Sequence, residues 1–296
     1  GASTRFTPVP AIAPSSTSGV FRDQLHGVRF PGEGTNSWTC VGRSLAPCTI
    51  VHGHGAHLLL TGDSQAWSLF PTFVRMAQQH DLTLSVSASA SCPWQRHLTL
   101  DPAVSAVYRE RSTICTAMKD DLVRRVIPRL RPDIVITVGL DYDRPSGQVF
   151  LDGDGRPTRL DAAALDRSVR ADTQGTVADL AGDTRTVVML ETPPVALQDH
   201  DPTVCLAHAR FVEDCRFIAN TAPTSEERIY RSLADRRRII DLDIDRMICP
   251  YMPICDPIVN GRAVRSDYAH ISPEYGITIS DAMFTALRDS GALRPR

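Results

Sequence analysis

Two short stretches of the chain carry the residue types that acyl-transfer chemistry needs. The apolar run Leu58-Leu59-Leu60 ends in Gly62-Asp63-Ser64 and passes directly into a helix-like segment that begins Gln65-Ala66-Trp67. A serine placed there stands at a strand end and a helix start, where spare N–H groups and the positive end of the helix dipole face outward. Far downstream the chain reads Ser266-Asp267-Tyr268-Ala269-His270. A serine hydroxyl is a weak nucleophile until a base takes its proton, and an imidazole base needs a partner to fix its tautomer. Ser64 as nucleophile, His270 as general base and Asp267 as orienter supply those three parts. The Ser64 amide also faces a developing oxyanion, and one such donor contributes about 3 kcal/mol to the transition state. A purely structural reading competes at each position. Asp63 and Ser64 both favour helix N-caps, Asp267 suits a turn, and His270 is one of nine histidines.

A second cluster is His52-Gly53-His54-Gly55-Ala56-His57. Imidazoles suit zinc or copper, but the Gly-rich segment holds no cysteine or carboxylate to complete a set. The expectation is therefore no metal and no cofactor. A metal-dependent domain remains one alternative, and a non-catalytic glycan-binding domain is another, since scaffold alone does not fix function.

These residues need elements to position them. Strand-like runs are Leu58–Thr61, Leu82–Ser87, Ile134–Val138, Thr186–Leu190 and Ile239–Leu242, several with the unbroken apolar character of strands buried on both faces. Helix-like stretches Ala66–Gln79, Ile114–Leu130, Ala162–Ala181 and Pro273–Ser290 alternate with them. Alternating strands and helices imply a parallel sheet covered on both sides. The fold class is thus α/β, a three-layer α/β/α sandwich with a central, mostly parallel sheet and a loop-rich N-terminal extension. Residues 1–37 read as a linker or extension, with Pro8, Pro10 and Pro14 and the run Ser15-Ser16-Thr17-Ser18, and residues 38–296 as one catalytic domain. Two Asp-Gly steps, at Asp152-Gly153 and Asp154-Gly155, mark a turn.

Composition narrows the class. The 296 residues are 42% hydrophobic and 22% charged with net charge −2, a globular profile. No apolar run approaches the ~18 residues of a membrane helix, no secretory signal opens the chain, and no basic excess points to nucleic acid. Arg228, Arg231 and Arg236 to Arg238 stand among Asp235, Asp241, Asp243 and Asp245, which reads as a solvated helix end. The eight cysteines, Cys40, Cys48, Cys92, Cys115, Cys205, Cys215, Cys249 and Cys255, suit disulfides formed in an oxidising compartment. Roughly a hundred pairings are possible, of which nearest-neighbour pairing is the simplest.

At Gly62-Asp63-Ser64 and Asp267-x-x-His270 the chain resembles the SGNH, or GDSL-like, hydrolase and acyltransferase superfamily. The stretch Leu58 to Trp67, followed by Ser91-Cys92-Pro93-Trp94, is similar to a narrower group, the extracytoplasmic SGNH domain fused to bacterial membrane-bound acyltransferase family 3 proteins. Relatives share a cysteine pair before the first strand (Cys40 and Cys48), a Cys-Pro after the second (Cys92) and a short pair before the Asp-x-x-His (Cys249 and Cys255). The resemblance covers roughly residues 38–290. It implies an O-acyltransferase, moving acetyl or another short acyl group, that forms an acyl-enzyme on Ser64. The donor would be delivered by a fused or associated membrane domain, and the acceptor would be a cell-envelope glycan or glycolipid. With water as acceptor the same site is an esterase. The implied location is extracytoplasmic, as the soluble part of a membrane protein. The chain departs from the pattern at Gln65, where most relatives carry His, and at Gly139-Leu140-Asp141-Tyr142, where Asp141 takes the place of the oxyanion Asn. A second-block glycine is not evident among Ser89, Ala90 and Ser91. Ser64, Ser91, Asp141 and Tyr142 are the expected oxyanion or substrate residues, with Arg144 and Trp94 as neighbours on the substrate side.

Overall fold

The computed structural model describes residues 37–38, 40–141, 148–152, 155–158, 160–234 and 238–293. Its centre is a seven-stranded sheet: β1 (Ser37–Trp38), β2 (Thr49–Val51), β3 (His57–Gly62), β4 (Thr83–Ser89), β5 (Ile134–Val138), β6 (Thr186–Leu190) and β7 (Ile239–Leu242). The order across the sheet is β1-β4-β3-β5-β6-β7, with β2 also on β4. The pairs β3/β4, β3/β5, β5/β6 and β6/β7 are parallel, while β1 and β2 run antiparallel to β4. The five strands expected from apolar patterning are thus the five parallel ones. The two antiparallel strands, β1 and β2, come from the chain before the first expected strand. They are too short to show a period.

The central strands feed two cores because successive side chains point to opposite faces. Leu58 and Leu60, Ile134 and Ile136, and Val188 and Leu190 face one side, where they join Phe73, Met76, Met283 and Leu287. Leu59, Val135, Val187 and Met189 face the other, against Leu122, Val177, Ile229 and Tyr230. The helices divide accordingly. On the first face α1 (Ser64–Gln79) packs against α5 (Pro273–Thr278) and α6 (Ser280–Asp289). On the second lie α2 (Ala106–Asp121), α3 (Ala162–Ala181) and α4 (Ser225–Leu233). This is the three-layer sandwich. Helix α2 starts earlier than the apolar period indicates, because its first two turns are mostly solvent-exposed. Ser105 caps it by accepting the Tyr108 N–H, and the helix runs on through a π turn at Leu122–Val126 into Ile127–Leu130. The expected final helix is broken at Ile279 into α5 and α6.

Four disulfides join nearest neighbours: Cys40–Cys48, Cys92–Cys115, Cys205–Cys215 and Cys249–Cys255. The second ties the loop after β4 to α2. A small antiparallel sheet of Leu98–Leu100, Gln148–Leu151 and Pro157–Thr158 flanks the sandwich; between its last two strands the Gly155 N–H donates to the Asp152 carbonyl at 2.9 Å, while Gly153 and Asp154 of the expected turn lie outside the described residues. Among the described residues no helix is long and apolar enough to cross a membrane.

Arg231 stands in the last turn of α4 with its side chain 46% exposed, the solvated helix end that the charge pattern implies, but it is also paired. Its guanidinium meets the Glu191 carboxylate with two hydrogen bonds, 2.6 and 2.8 Å, and Glu191 is 1% exposed at the end of β6. The Arg228 guanidinium donates to the Pro223 carbonyl and the Ser225 hydroxyl. Arg236 and Arg237 lie outside the described residues.

Candidate active site

The turn from β3 into α1 is set by Gly62 and Asp63. Gly62 has φ +143°, and a Cβ on it would meet the Val138 carbonyl oxygen at 1.8 Å. Only glycine fits where β3 passes that close to β5. Asp63, 3% exposed, caps α1 by accepting the Gln65 N–H at 2.7 Å, and its other oxygen accepts the Leu140 N–H at 2.8 Å. It thereby clamps the β3 turn to the loop after β5. Burial pushes its carboxyl up to about 6, against the opposing hydrogen bonds from Leu140 and Gln65 and the charge of His270. Ser64 follows as the first residue of α1, so its amide is at the helix N-terminus.

The Asp-x-x-His segment reaches the same sheet edge from the other end of the chain. Arg265 and Ile271 form a β-bridge, and the Ser266 N–H donates to the His270 carbonyl at 3.0 Å, so residues 266–270 close a tight turn. Within it Asp267 accepts the Ala269 N–H at 2.8 Å and the His270 N–H at 2.7 Å on one oxygen, and faces His270 Nδ1 at 2.7 Å with the other. His270 Nε2 lies 2.7 Å from Ser64 Oγ. Burial pulls the Asp267 carboxyl upward, but the ring and backbone hydrogen bonds and the charge of His270 outweigh it and hold it below the usual range. Burial pulls the His270 imidazole down, yet the hydrogen bond and charge of Asp267, with the charge of Asp63, leave it raised. The result is an oriented imidazole, more basic than usual, in line with a serine hydroxyl.

Buried Arg265 braces this turn. Its guanidinium donates to the Ala269 and Pro194 carbonyls and lies 5.2 Å from the Phe217 ring centroid. Nothing in its local sequence marks it, because its partners come from distant loops. A slot of about 270 Å³ opens beside Ser64, Ser266, Asp267 and His270.

The other expected residues fall elsewhere. Ser91 has φ +60°, the left-handed conformation that glycine favours, and its hydroxyl accepts from Arg111 at 3.1 Å. Asp141 is 1% exposed and accepts from Thr192 Oγ1 at 2.9 Å and Thr224 Oγ1 at 3.4 Å. Neither residue lines the slot. Tyr142 and Arg144 lie outside the described residues. Trp94 is not on the substrate side but in the second core, where its indole donates to the Tyr230 hydroxyl at 2.9 Å. Gln65 is fully buried, and neither side-chain polar atom has a hydrogen-bond partner among the described residues.

Two of the three histidines of the Gly-rich segment have separate partners. His54 pairs with Asp81, and His57 faces Ser85 Oγ at 2.8 Å, at the sheet edge opposite Ser64. Among the described residues no group of three His, Cys, Asp or Glu could hold a metal ion.

A family model described as an SGNH domain fused to AT3 domains matches residues 34–283. The chain belongs to this family. The SGNH domain also resembles the periplasmic domain of a lipopolysaccharide acetyltransferase from Salmonella ser. Paratyphi A. That match has TM-score 0.52 and 12% identity, and covers 81% of this chain and 84% of that one. A catalytic mutant of Axe2, an acetylxylan esterase from Geobacillus stearothermophilus, matches with TM-score 0.43 and 12% identity, covering 82% and 99%. No curated protein matches the chain by sequence. The likeness to the Salmonella domain is one of fold.

Proposed function

We propose that this SGNH domain is a serine O-acyltransferase that works through an acyl-enzyme on Ser64. The observation that carries the reading is the continuous line from Asp267 through His270 to Ser64, with both His270 ring contacts at 2.7 Å. In the first step His270 Nε2 takes the Ser64 proton as Oγ attacks the acyl carbonyl. The tetrahedral intermediate collapses, and the leaving group departs with the proton from His270. In the second step an acceptor hydroxyl gives its proton to His270 and attacks the acyl carbon. Ser64 Oγ is the leaving group and recovers that proton. Asp267 holds the ring in the tautomer with the proton on Nδ1 and stabilises the imidazolium formed in each step. The Ser64 amide, at the start of α1, is the donor best placed for the oxyanion.

Fusion to AT3 domains in this family supports a membrane acyltransferase domain as the source of the acyl group. A cell-envelope glycan hydroxyl is the proposed acceptor, and water in its place makes the domain an esterase. The four disulfides support an extracytoplasmic setting. The test is covalent labelling. A serine-reactive phosphonate should add one adduct to the wild-type chain, located at Ser64 by mass spectrometry, and none to Ser64→Ala or His270→Ala. A wild-type chain that folds and takes no label would leave a glycan-binding module as the better reading.

A further inference from the structure

The slot beside Ser64 has two chemically different ends. One wall is a single face of α1, because Ser64, Trp67, Ser68 and Pro71 follow the i, i+3, i+4, i+7 spacing that stacks side chains. Ile271 and Pro273, just past His270 in the chain, and Phe70 line the rest of the slot. At about 1.5 Å per residue, Ser64 to Pro71 spans about 10 Å along the helix. Every ionisable lining group, Asp267 and His270, belongs to the nucleophile end. Ser68 already spends its hydroxyl proton on the Gln65 carbonyl at 3.0 Å. The Ser266 hydroxyl, in the Asp267–His270 turn, faces the His270 carbonyl at 3.5 Å, and of the remaining lining side chains Phe70, Pro71, Ile271 and Pro273 are carbon and Trp67 carries only its indole nitrogen. Trp67 and Phe70 stack on each other at 5.3 Å and 11°, which stiffens that wall.

Size and polarity together select the occupant. The slot holds about 270 Å³, whereas an engineered apolar cavity of about 150 Å³ already takes a benzene ring. An acetyl group would leave most of it unfilled. A sugar ring pushed into the far end would set several hydroxyls against carbon and leave them unpaired, which apolar sites penalise. A charged acyl tail would meet no cation there. We propose that this slot is an acyl-chain pocket: it takes an uncharged, apolar acyl group of about four to eight carbons, with the carbonyl at Ser64 and the tail along Trp67 and Pro71. The acceptor glycan then approaches from outside the slot. This inference rests on the reading of Ser64 as the nucleophile.

Each methylene buried in such a pocket raises kcat/KM roughly fourfold. The experiment measures Ser64 acylation by p-nitrophenyl acetate, butyrate, hexanoate and octanoate, read as p-nitrophenolate release with the adduct confirmed by mass. Hexanoate should exceed acetate by at least about tenfold, and the p-nitrophenyl hemisuccinate should fall well below butyrate. Ser68→Phe fills the slot one helical turn from the nucleophile and should cut the hexanoate-to-acetate ratio by about tenfold or more, whatever its absolute rate. If this variant does not fold, the wild-type series decides alone. Acetate equal to or faster than hexanoate, hemisuccinate equal to butyrate, or an unchanged ratio in folded Ser68→Phe overturns the pocket while phosphonate labelling leaves the Ser64 reading intact. No acylation by any ester, together with no phosphonate label, overturns both.

Discussion

Asp267→Asn separates the chemical role of this carboxylate from its structural one. One Asp267 oxygen accepts two backbone N–H groups, from Ala269 and His270, and the other faces His270 Nδ1. An amide nitrogen cannot accept a hydrogen bond, so the Asn carbonyl must keep the two backbone donors and its NH2 must face the ring. Nδ1 is then forced to accept, the ring proton moves to Nε2, and Nε2 can no longer take the proton of Ser64. The backbone of the turn is fully satisfied throughout, so the fold should survive. A wrong tautomer of this kind lowers the rate about 10⁴-fold, or about 5 kcal/mol of transition-state stabilisation. The assay is the pre-steady-state acylation rate with a p-nitrophenyl ester, beside a thermal melt to confirm folding. Asp267→Ala leaves both turn N–H groups without their acceptor and should lose stability as well as rate. A folded Asp267→Asn protein within tenfold of the wild-type rate would refute the reasoning and leave a Ser64–His270 dyad oriented by something else.

The acylation rate of the wild-type chain should rise with pH through an ionisation above the usual imidazole range, because protonated His270 cannot act as base and its raised value keeps it protonated to higher pH. A profile whose inflection sits at or below the ordinary imidazole value contradicts that environment. Gly62→Ala should cost about 3–5 kcal/mol, since its Cβ would stand 1.8 Å from the Val138 oxygen; urea denaturation measures it, and an unchanged midpoint would mean β3 and β5 separate easily. Gln65→Met replaces a buried amide that has no hydrogen-bond partner among the described residues by an apolar side chain of similar length, so it should raise the melting temperature by the equivalent of about 1–2 kcal/mol, and a drop would show that the amide has a partner.

The sequence disclosed most where local pattern and tertiary role coincide. The apolar runs behind β3, β5 and β6 are legible because each strand is buried on both faces, and Gly62-Asp63-Ser64 is legible because a glycine, a cap and a hydroxyl must be adjacent to build that turn. Asp267 and His270 share one turn, so their spacing alone reports that they can meet. The rest depends on partners far apart in the chain. Arg231 is a surface charge, but its pairing with buried Glu191 at the end of β6 cannot be read from the local sequence. Trp94 looks like a substrate platform until α4 presents the Tyr230 hydroxyl to its indole. The slot wall on α1 was written as a helical stripe, but such a stripe reads equally as core until Ile271 and Pro273 arrive from the opposite end of the chain and leave a gap. Ser91 carries the backbone conformation of a glycine without being one, so composition hides it.

The basicity of His270 follows from burial, which lowers it, and from three charged groups acting on one ring. Asp267 touches it, while Asp63 and Arg265 act through their charge. Asp63 cannot compete with Asp267 for the ring, because its two oxygens are held by the Gln65 and Leu140 N–H groups. Its negative charge nevertheless favours the imidazolium that forms when Ser64 gives up its proton. Two carboxylates acting unopposed would raise the imidazole further and leave less of it neutral, and a base must be neutral to accept a proton. Burial is the larger restraint on the ring, and Arg265, held by the Ala269 and Pro194 carbonyls, adds a smaller downward pull. The residue that braces the turn thus also limits how basic the turn makes its histidine.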